Sequence, residues 1–349
     1  MTQPISELFP QQKNQHEREA VGNHSQKEKR NKLVFTPRMK NILYALSQAD
    51  YLSLPQLEGL FWRARRGGKE GTLRAAQREL KRLRDEGLIR VVAQWMRRGE
   101  GTQPYIYALT KKGADFVNRE FEIERSTIRW KINSAEDDYR FLAHLLSTND
   151  LWVAVARSAE KHGVQLEQWI HERQLRSRDE REYVELIEDP EMTNSKVERV
   201  AVIFDSFFVL KDRRGRGYFP VEIDRSTLTV FSQRSKRTWH TKMKAFKAYY
   251  ESGAYERRYG TRTFLYLTVT TSLKRLMHLK ETTEAVVPNS DQFWFTTFEH
   301  IVSKQPIKSF IPKGSSKQKT VYKTVYNEDL LTQPIWYRTG DNALHGLLE

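Results

Sequence analysis

The segments VAVIFDSFFVL (200–210) and GYFPVEIDRS (217–226) decide the fold of this chain. Both are apolar runs of strand length with many β-branched and aromatic residues, and TFLYLTVTT (263–271) is a third run of this kind. A helical pattern over 237–252 separates the second run from the third. Another helical pattern and a strand-like QFWFTTF follow. Two antiparallel strands followed by helix, strand, helix and strand are typical of an α/β domain, which we place at residues 134–302.

Three acidic residues interrupt the apolar runs. Asp205 lies in the first run, and Glu222 and Asp224 lie in the second, on the same face of a strand because side chains alternate with period 2. Carboxylates in or beside apolar strands are costly to bury unless a positive charge lies among them. Mg²⁺ binds one or two carboxylates together with water and phosphate oxygens. We therefore take Asp205, Glu222 and Asp224 as candidate catalytic residues and as candidate ligands of Mg²⁺ or Mn²⁺.

The helix after these strands supplies a fourth candidate. Lys242 is the catalytic residue that we expect to hold the scissile phosphate or the attacking water. The same acids have a structural alternative, in which Arg225 or a nearby lysine neutralises them, or in which they face solvent. Tyr249 and Tyr250 lie on the same helix and fit core packing better than a role as nucleophiles.

Residues 33–123 carry a different pattern. A helix is predicted after Thr36, a short helix after Ser53, and a third after Thr72 that ends at Gly87. The inward stripe of the third helix is predicted to be Leu73, Ala76, Leu80 and Leu83. LIRVVAQWM and PYIYAL then predict two strands around a polar turn. Three helices and a β-hairpin in this order are typical of a winged helix-turn-helix, so the overall fold class is α+β, with a winged helix before the α/β domain.

The winged-helix segment is strongly basic. Residues 61–100 contain 12 Lys or Arg against 5 Asp or Glu. In a winged helix the third helix enters the major groove, while the wing contacts the adjacent backbone. The candidate DNA-binding residues on the third helix and the wing are Arg74, Arg78, Lys81, Arg82, Arg97 and Arg98. The alternative is a solvated charged face on a winged helix that binds protein.

The composition of the whole chain agrees with a polyanionic partner. Its 349 residues include 59 Lys or Arg and 44 Asp or Glu, a net charge of +15, and Lys and Arg displace counterions from phosphate backbones. The absence of cysteine excludes disulfides, zinc fingers and thiol nucleophiles. A phosphate-binding GxxxxGK[ST] loop and a His-x-His pair are also absent.

The ends of the chain are polar. Residues 1–32 predict a flexible arm, and residues 303–349 predict a basic C-terminal tail low in apolar residues. No apolar run approaches the roughly 18 residues that a membrane helix needs, and the first residues do not resemble a secretory leader. We therefore expect a cytoplasmic protein that does not bind a membrane.

The acidic strands and the segment TKMKAFKAYYESGAYERRYG that follows them resemble the replication-relaxation family and the MobC-type relaxases of mobilisable plasmids. Asp205 matches the family's acid in an apolar strand, and Glu222 and Asp224 match its acid-x-acid pair. Lys242 matches the lysine of the next helix. One departure is Phe204, at a position where the family more often has proline. The resemblance extends over about 35–271.

The resemblance implies a restriction-endonuclease-like domain behind a winged helix, a fold that the predicted order of strands and helices also suits. It implies a relaxase or endonuclease of a mobile element that nicks one strand of double-stranded DNA at an origin of transfer or replication. Two other functions stay open. One is a non-catalytic regulator of plasmid replication, transfer or transcription that keeps the fold without the reaction. The other is an adaptor that binds other mobilization proteins through the basic tail.

Overall fold

The computed structural model describes residues 34–62, 69–92, 104–131, 139–176, 182–187, 197–232, 237–310 and 319–348. The polypeptide forms two compact units that divide between Leu146 and Ser147. The predicted N-terminal arm, 1–32, lies outside the described residues.

The first unit contains the predicted helices and hairpin in the predicted order. Its elements are α1 (Pro37–Ala49), β1 (Leu52–Ser53), α2 (Leu54–Phe61), α3 (Lys69–Asp85), β2 (Ile89–Val92), β3 (Ile106–Leu109) and α4 (Lys111–Phe121). Side-chain oxygens of Thr36, Ser53 and Thr110 accept hydrogen bonds from backbone N–H groups at the starts of α1, α2 and α4. These caps satisfy N–H groups that a helix start leaves without partners, so the sequence sets where each helix begins.

A three-stranded antiparallel sheet in the order β1-β3-β2 closes this unit. Helix α3 packs through Ala76, Leu80 and Leu83, which are fully buried, as the sequence predicts. Leu73 is 38% exposed, and its inward placement was therefore wrong. Leu73 lies about one turn closer to the start of α3 than Ala76, and the described residues leave its side chain partly exposed there.

The second unit is built on a long helix and a central sheet. Helix α5 (Tyr139–His162) begins in the first unit and continues into the second, and it joins two segments that the sequence shows as separate helical patterns. The following elements are β4 (Gln165–His171), α6 (Glu172–Leu175), β5 (Glu182–Ile187), β6 (Val197–Val202), β7 (Ser206–Lys211), β8 (Arg216–Ile223), α7 (Trp239–Glu251), α8 (Ala254–Tyr259), β9 (Tyr266–Thr270), α9 (Leu273–Val286), β10 (Phe293–Thr297), α10 (Phe298–Ile301), β11 (Val302–Phe310), β12 (Lys319–Tyr326), β13 (Trp336–Arg338) and β14 (Leu344–His345).

The central sheet has seven strands in the order β14-β13-β10-β9-β8-β7-β4. Strand β9 pairs in parallel with β8 and β10, and the other neighbours are antiparallel. On one face the Phe246 ring of α7 lies 4.9 Å from the Tyr266 ring of β9. On the other face Trp152 of α5 stacks on Trp169, which stacks on Phe208 of β7. Helices on both sides of a mixed sheet confirm the predicted α/β class.

The first apolar run, 200–210, is two strands and not one. Strand β6 ends at Val202 and pairs with β5 in a separate two-stranded sheet, whereas β7 begins at Ser206 and pairs with β8. The chain changes partner between them, and Asp205 lies in this break. Asp205 therefore sits at the margin of the central sheet, where its carboxylate is next to the ends of the neighbouring strands.

The segment 303–349 is more regular than its basic composition predicts. It contains most of the β11–β12 pair and the last two strands at one side of the central sheet, β13 and the edge strand β14. Leu330, Leu331 and Trp336 are fully buried. A few well-placed apolar residues are enough to attach this segment, although its average composition is polar.

Among the helices that the structure describes, none has both the length and the apolar character needed to cross a membrane.

Candidate active site

Three carboxylates and one lysine meet at one end of the central sheet. Glu172 is the first residue of α6, directly after β4, and Asp205 directly precedes β7. Glu222 is the second-last residue of β8, and Lys242 lies in the first turns of α7. We call Glu172, Asp205 and Glu222 the acid cluster. Sequence reasoning identified two of its members and missed Glu172.

The strand register explains why these acids lie together. His171 of β4 pairs with Ser206 of β7, and Ser206 pairs with Val221 of β8, so the three residues form one row across three adjacent strands. Glu172, Asp205 and Glu222 each lie one residue away from this row. All three lie at the same end of their strands, because β7 runs antiparallel to β4 and β8. Residues far apart in the sequence thus lie side by side at the ends of three adjacent strands.

The carboxylates of Glu172 and Asp205 are close to each other, and those of Asp205 and Glu222 are buried. A carboxylate oxygen of Glu172 and one of Asp205 lie within 4.8 Å of each other. The exposed fractions of Asp205 and Glu222 are both 7%. The Oδ2 atom of Asp205 accepts a hydrogen bond of 2.7 Å from the backbone N–H of Ile223, which holds this carboxylate against the end of β8. Glu172 also forms an ion pair with Arg176.

Lys242 is the cation at the centre of this arrangement. Its Nζ donates a hydrogen bond to Oε2 of Glu222, and its side chain is 28% exposed. Burial lowers the pKa of Lys242, but the negative charges of Glu222, Asp205 and Glu172 outweigh burial, and the pKa is raised above its usual value. Lys242 is therefore a permanent positive charge at neutral pH and a poor proton acceptor. It suits electrostatic stabilisation of an anionic group.

Asp224 has a different set of partners. Its two carboxylate oxygens accept hydrogen bonds of 2.8 and 2.9 Å from Arg275 of α9, and Thr270 donates a further one of 2.6 Å. Asp224 is 4% exposed and the Arg275 side chain is 15% exposed. A bidentate arginine neutralises this carboxylate and uses its oxygens. The structure thus brings Asp205, Glu222 and Lys242 together and gives Asp224, the fourth predicted site residue, an arginine partner.

Two buried hydroxyl groups lie beside the acid cluster. Thr268 of β9 is the registered neighbour of Glu222, and Tyr266 lies two residues earlier on the same face. Both residues are fully buried, and neither hydroxyl has a hydrogen-bond partner among the described residues. Burial raises the pKa of Tyr266 first of all, and the charges of Glu222 and Asp205 raise it further. Unsatisfied buried hydroxyls are costly, so these two mark a place where a further polar group belongs.

The donor set has the chemistry of a divalent cation site. Mg²⁺ prefers oxygen ligands, and at a metal–oxygen distance of about 2.1 Å its octahedral ligands lie about 3 to 4.2 Å apart. Glu172 and Asp205 come within that range after a small side-chain adjustment. Together with Arg176 and Lys242, the acid cluster makes a group of five side chains with three negative and two positive charges. The net charge of this group is negative, so that it can accept one more cation. The hydroxyls of Tyr266 and Thr268 are suited to hydrogen-bond to water molecules bound to that cation.

Comparison with known proteins adds one decisive match. Residues 43–265, well over half of the chain, match the replication-relaxation family. The chain belongs to this family. No curated protein sequence and no solved structure matches the chain. Membership in the replication-relaxation family indicates a role in the replication or relaxation of a plasmid or another mobile element, and an interaction with DNA.

The matched range of this replication-relaxation protein includes the acid cluster, Asp224 and Lys242, whereas Arg275 lies beyond it. Arg225, proposed from sequence as a neutralising residue, donates a hydrogen bond of 2.7 Å to Ser147. The residue that pairs with Asp224 is therefore an arginine about fifty positions further along the chain.

The two neighbouring tyrosines of α7 are packing residues in this replication-relaxation protein. Tyr249 is 1% exposed and donates a hydrogen bond to Glu182. Burial, followed by the Glu182 carboxylate, raises the pKa of Tyr249. Tyr250 donates a hydrogen bond of 3.2 Å to the carbonyl of Arg262. A nucleophilic phenol needs a lowered pKa and an exposed oxygen, and Tyr249 has neither.

A basic face lies on the first unit of this replication-relaxation protein. Arg74, Arg78 and Arg82 recur every four residues on the exposed side of α3, and none forms an ion pair with any residue that the structure describes. Lys81, also exposed, pairs with Asp85 at 2.5 Å. The three arginines extend over about 12 Å of helix at 1.5 Å per residue.

Arg78 and Arg82 also line a groove of about 610 Å³ with Thr36 and Arg38. The predicted wing residues Arg97 and Arg98 lie outside the described residues.

Proposed function

We propose that this protein is a metal-dependent DNA endonuclease, a relaxase that nicks one strand at the origin of a mobile element. The observation that carries the proposal is the acid cluster, whose three carboxylates lie at one level of the sheet around the positive charge of Lys242. Carboxylates beside a lysine at a sheet edge suit phosphodiester cleavage, because they bind cations while the lysine contacts the phosphate.

The first unit is proposed to locate the DNA. The order α1-β1-α2-α3-β2-β3 supports a winged helix-turn-helix, in which α3 enters the major groove of double-stranded DNA. The exposed row of Arg74, Arg78 and Arg82 supports the same assignment. Phosphate contacts of this kind fix the position of a protein on DNA, while base contacts give sequence preference.

In the proposed reaction each side chain has one task. Glu172, Asp205 and Glu222 would hold a Mg²⁺ or Mn²⁺ ion, which when bound would lower the pKa of a water ligand and stabilise charge on the phosphate. Lys242 transfers its hydrogen bond from Glu222 to an oxygen of the scissile phosphate. The Ile223 N–H keeps Asp205 in place while the substrate enters. Tyr266 and Thr268 orient water beside the carboxylates.

The test is nicking of a supercoiled plasmid that carries the origin region of the element, with Mg²⁺, Mn²⁺ or EDTA. Conversion to the open circular form with either metal, and none with EDTA, supports the endonuclease. Tight DNA binding without nicking under any of these conditions would overturn the enzymatic proposal and favour a non-catalytic regulator of replication or transfer. Weak DNA binding together with strong binding to other mobilization proteins would favour an adaptor.

The α3 arginines predict a measurable loss of DNA affinity. Replacing Arg74, Arg78 and Arg82 by alanine should weaken binding to a duplex at least roughly tenfold. The plot of log affinity against log salt should become shallower, its slope smaller in magnitude by about 2.7 in total. The measurement is fluorescence anisotropy at several salt concentrations. Arg84→Ala, on the flank of the same helix beside Asp85, is the matched control and should bind nearly as wild type. Equal slopes for the triple variant and the wild type would exclude α3 as the DNA-binding helix.

The hydroxyl of Tyr266 predicts opposite effects on stability and on metal binding. Tyr266→Phe removes a buried hydroxyl without a described partner, so the metal-free protein should be as stable as wild type or more stable, by up to about 1–2 kcal/mol. Affinity for Mn²⁺ should fall about 10- to 100-fold, as for other side chains that orient metal ligands. Calorimetric titration with Mn²⁺ and urea unfolding measure the two effects.

Tyr255→Phe is the matched control for this prediction. Tyr255 is also fully buried and its hydroxyl also lacks a described partner, but its pKa is raised by burial and by other tyrosines, not by the acid cluster. Its removal should leave the Mn²⁺ affinity unchanged. A loss of affinity in both variants would show a general packing effect and not a role of Tyr266 at the site.

A further inference from the structure

Strands β11 and β12 pair in a two-stranded antiparallel sheet, and we call residues 302–326, of which the structure describes 302–310 and 319–326, the arm. Its base is fixed, because Ile301 is fully buried, Tyr326 is 8% exposed, and the backbone N–H of Asn327 donates to the carbonyl of Ile301. Beyond the base the described side chains are exposed or half-buried, with Ile307 60% and Tyr322 56% exposed and Lys323 half-buried. The arm is a sheet of its own and does not pair with the central sheet.

The arm has an extreme charge composition. Its 25 residues contain six lysines and no aspartate or glutamate. The lysines are Lys304, Lys308, Lys313, Lys317, Lys319 and Lys323. The rest of the chain carries most of its basic residues among acidic ones, as the many ion pairs of the second unit show. A segment with one sign of charge attracts a partner with the other sign.

The geometry of the arm fits one polyanion well. The major groove of B-DNA admits a two-stranded β-ribbon, and lysines along such a ribbon neutralise phosphates on both sides of the groove. An isolated two-stranded hairpin is only marginally stable in water, so a partner that orders it is favourable. The arm also has a β-bulge between Pro306 and Lys308, and bulges increase the twist of a ribbon.

We propose that the arm binds the backbone of double-stranded DNA and is a second DNA contact, separate from α3. The inference rests on the proposed DNA-binding function and extends it to a segment beyond the residues matched to the family, 43–265. Lys304 and Lys323 contact phosphates, and the exposed Ile307 and Tyr322 contact sugars or base edges. The arm lies in the second unit, so it places DNA on the unit that contains the acid cluster.

A second explanation for the lysines is that they keep exposed strand edges from aggregating. The two explanations differ in one respect. Either sign of charge prevents edge pairing, whereas only positive charge binds phosphate. Replacement of the arm lysines by glutamate therefore preserves the first property and removes the second.

The experiment compares four full-length variants with wild type on a duplex of about 30 base pairs, by fluorescence anisotropy at several salt concentrations. All six arm lysines are changed to glutamine, to arginine or to glutamate, and a Lys304→Gln and Lys323→Gln double variant tests the two lysines whose side chains are described. The glutamine variant should bind more weakly, with a salt slope lower by about 0.9 for each phosphate that it no longer neutralises. The arginine variant should bind as wild type, and the glutamate variant more weakly than the glutamine variant.

The outcomes separate this inference from the proposed function. If wild type binds the duplex and the glutamine and glutamate variants bind with the same affinity and slope, the arm is not a DNA contact, while DNA binding by the protein stands. If wild type itself does not bind, the proposed function fails and the inference fails with it. Hydroxyl-radical footprinting gives a second readout: the glutamine variant should lose a set of protected sugars that the α3 arginine variant retains. Unchanged circular dichroism and melting temperature of the variants show that the fold is intact.

Discussion

Glu172→Gln is expected to lower the rate constant of strand cleavage by about 10³-fold, or about 4 kcal/mol of transition-state stabilisation. The change keeps the size of the side chain and removes the negative charge that lies within 4.8 Å of Asp205. Without that charge the acid cluster holds a divalent cation poorly, and the charge that develops on the phosphate is no longer stabilised. Single-turnover cleavage of the origin plasmid at saturating protein measures the rate constant.

The control for this prediction lies on β4, the strand directly before Glu172. Glu167 of β4 forms ion pairs with Lys211 and Arg216, and neither of these partners belongs to the acid cluster. Glu167→Gln removes the same charge from β4 and should cleave at the wild-type rate. Equal rates for Glu172→Gln and wild type would remove Glu172 from the site, and reduced rates in both variants would point to damage to β4.

The same reasoning applies to the other two acids. Asp205→Asn and Glu222→Gln should each lower the rate constant by a similar factor and leave DNA affinity unchanged. A double variant should be little worse than either single variant, because residues that act as one unit do not contribute additively. Full additivity would show that the acids act separately.

The central strands and two of the three acids could be predicted from the sequence. An apolar run of strand length is a local signal, and a single Asp205 or Glu222 within it is conspicuous because burial of a lone carboxylate is unfavourable. Lys242 could be placed because the amphipathic pattern of its helix and the distance to the preceding strand are both readable. The capped starts of α1, α2 and α4 are local signals of the same kind.

Glu172 could not be predicted, because its role depends on strand pairing. The segment VQLEQWIHE (164–172) predicts a strand whose last residue is Glu172, but many other charged residues follow as far as 198. Only the register of β4 with β7 distinguishes Glu172 from these neighbours. The available signal was an acid directly after a strand that pairs with the strand of Asp205. Which strand forms that pair is decided by the tertiary structure and cannot be read from the local sequence.

Asp224 shows the opposite limit. Alternation predicts that it lies on the same face as Glu222, and neutralisation by Arg225 or a nearby lysine was a recognised alternative. The actual partner, Arg275, lies at the start of α9, beyond the next strand. The parallel pairing of β8 and β9 brings the start of α9 back to the end of β8. Such a return is a property of the topology and leaves no trace in the local sequence.

Arg275→Ala is expected to lower the free energy of unfolding by about 3–5 kcal/mol, the usual cost of removing one partner of a buried ion pair. The variant leaves the Asp224 carboxylate buried with Thr270 and the Ser226 N–H as its remaining described hydrogen-bond donors. Urea unfolding followed by circular dichroism measures the change. The comparison variant is Arg216→Ala, whose half-exposed ion pair with Glu167 should contribute little to the free energy of unfolding.

Asp224→Asn then decides between the two roles that this carboxylate can have. If Arg275 is its partner in solution, as in the structure, the variant should lose stability while its affinity for Mn²⁺ stays within about threefold of wild type, a change below 1 kcal/mol. If Asp224 is a metal ligand, as the acid-x-acid spacing alone predicts, Mn²⁺ affinity should fall steeply while the metal-free protein keeps its stability. The two results exclude each other, because Arg275, Thr270 and the Ser226 N–H together occupy the four lone-pair positions of this carboxylate, so that a cation can bind only after one of these donors leaves.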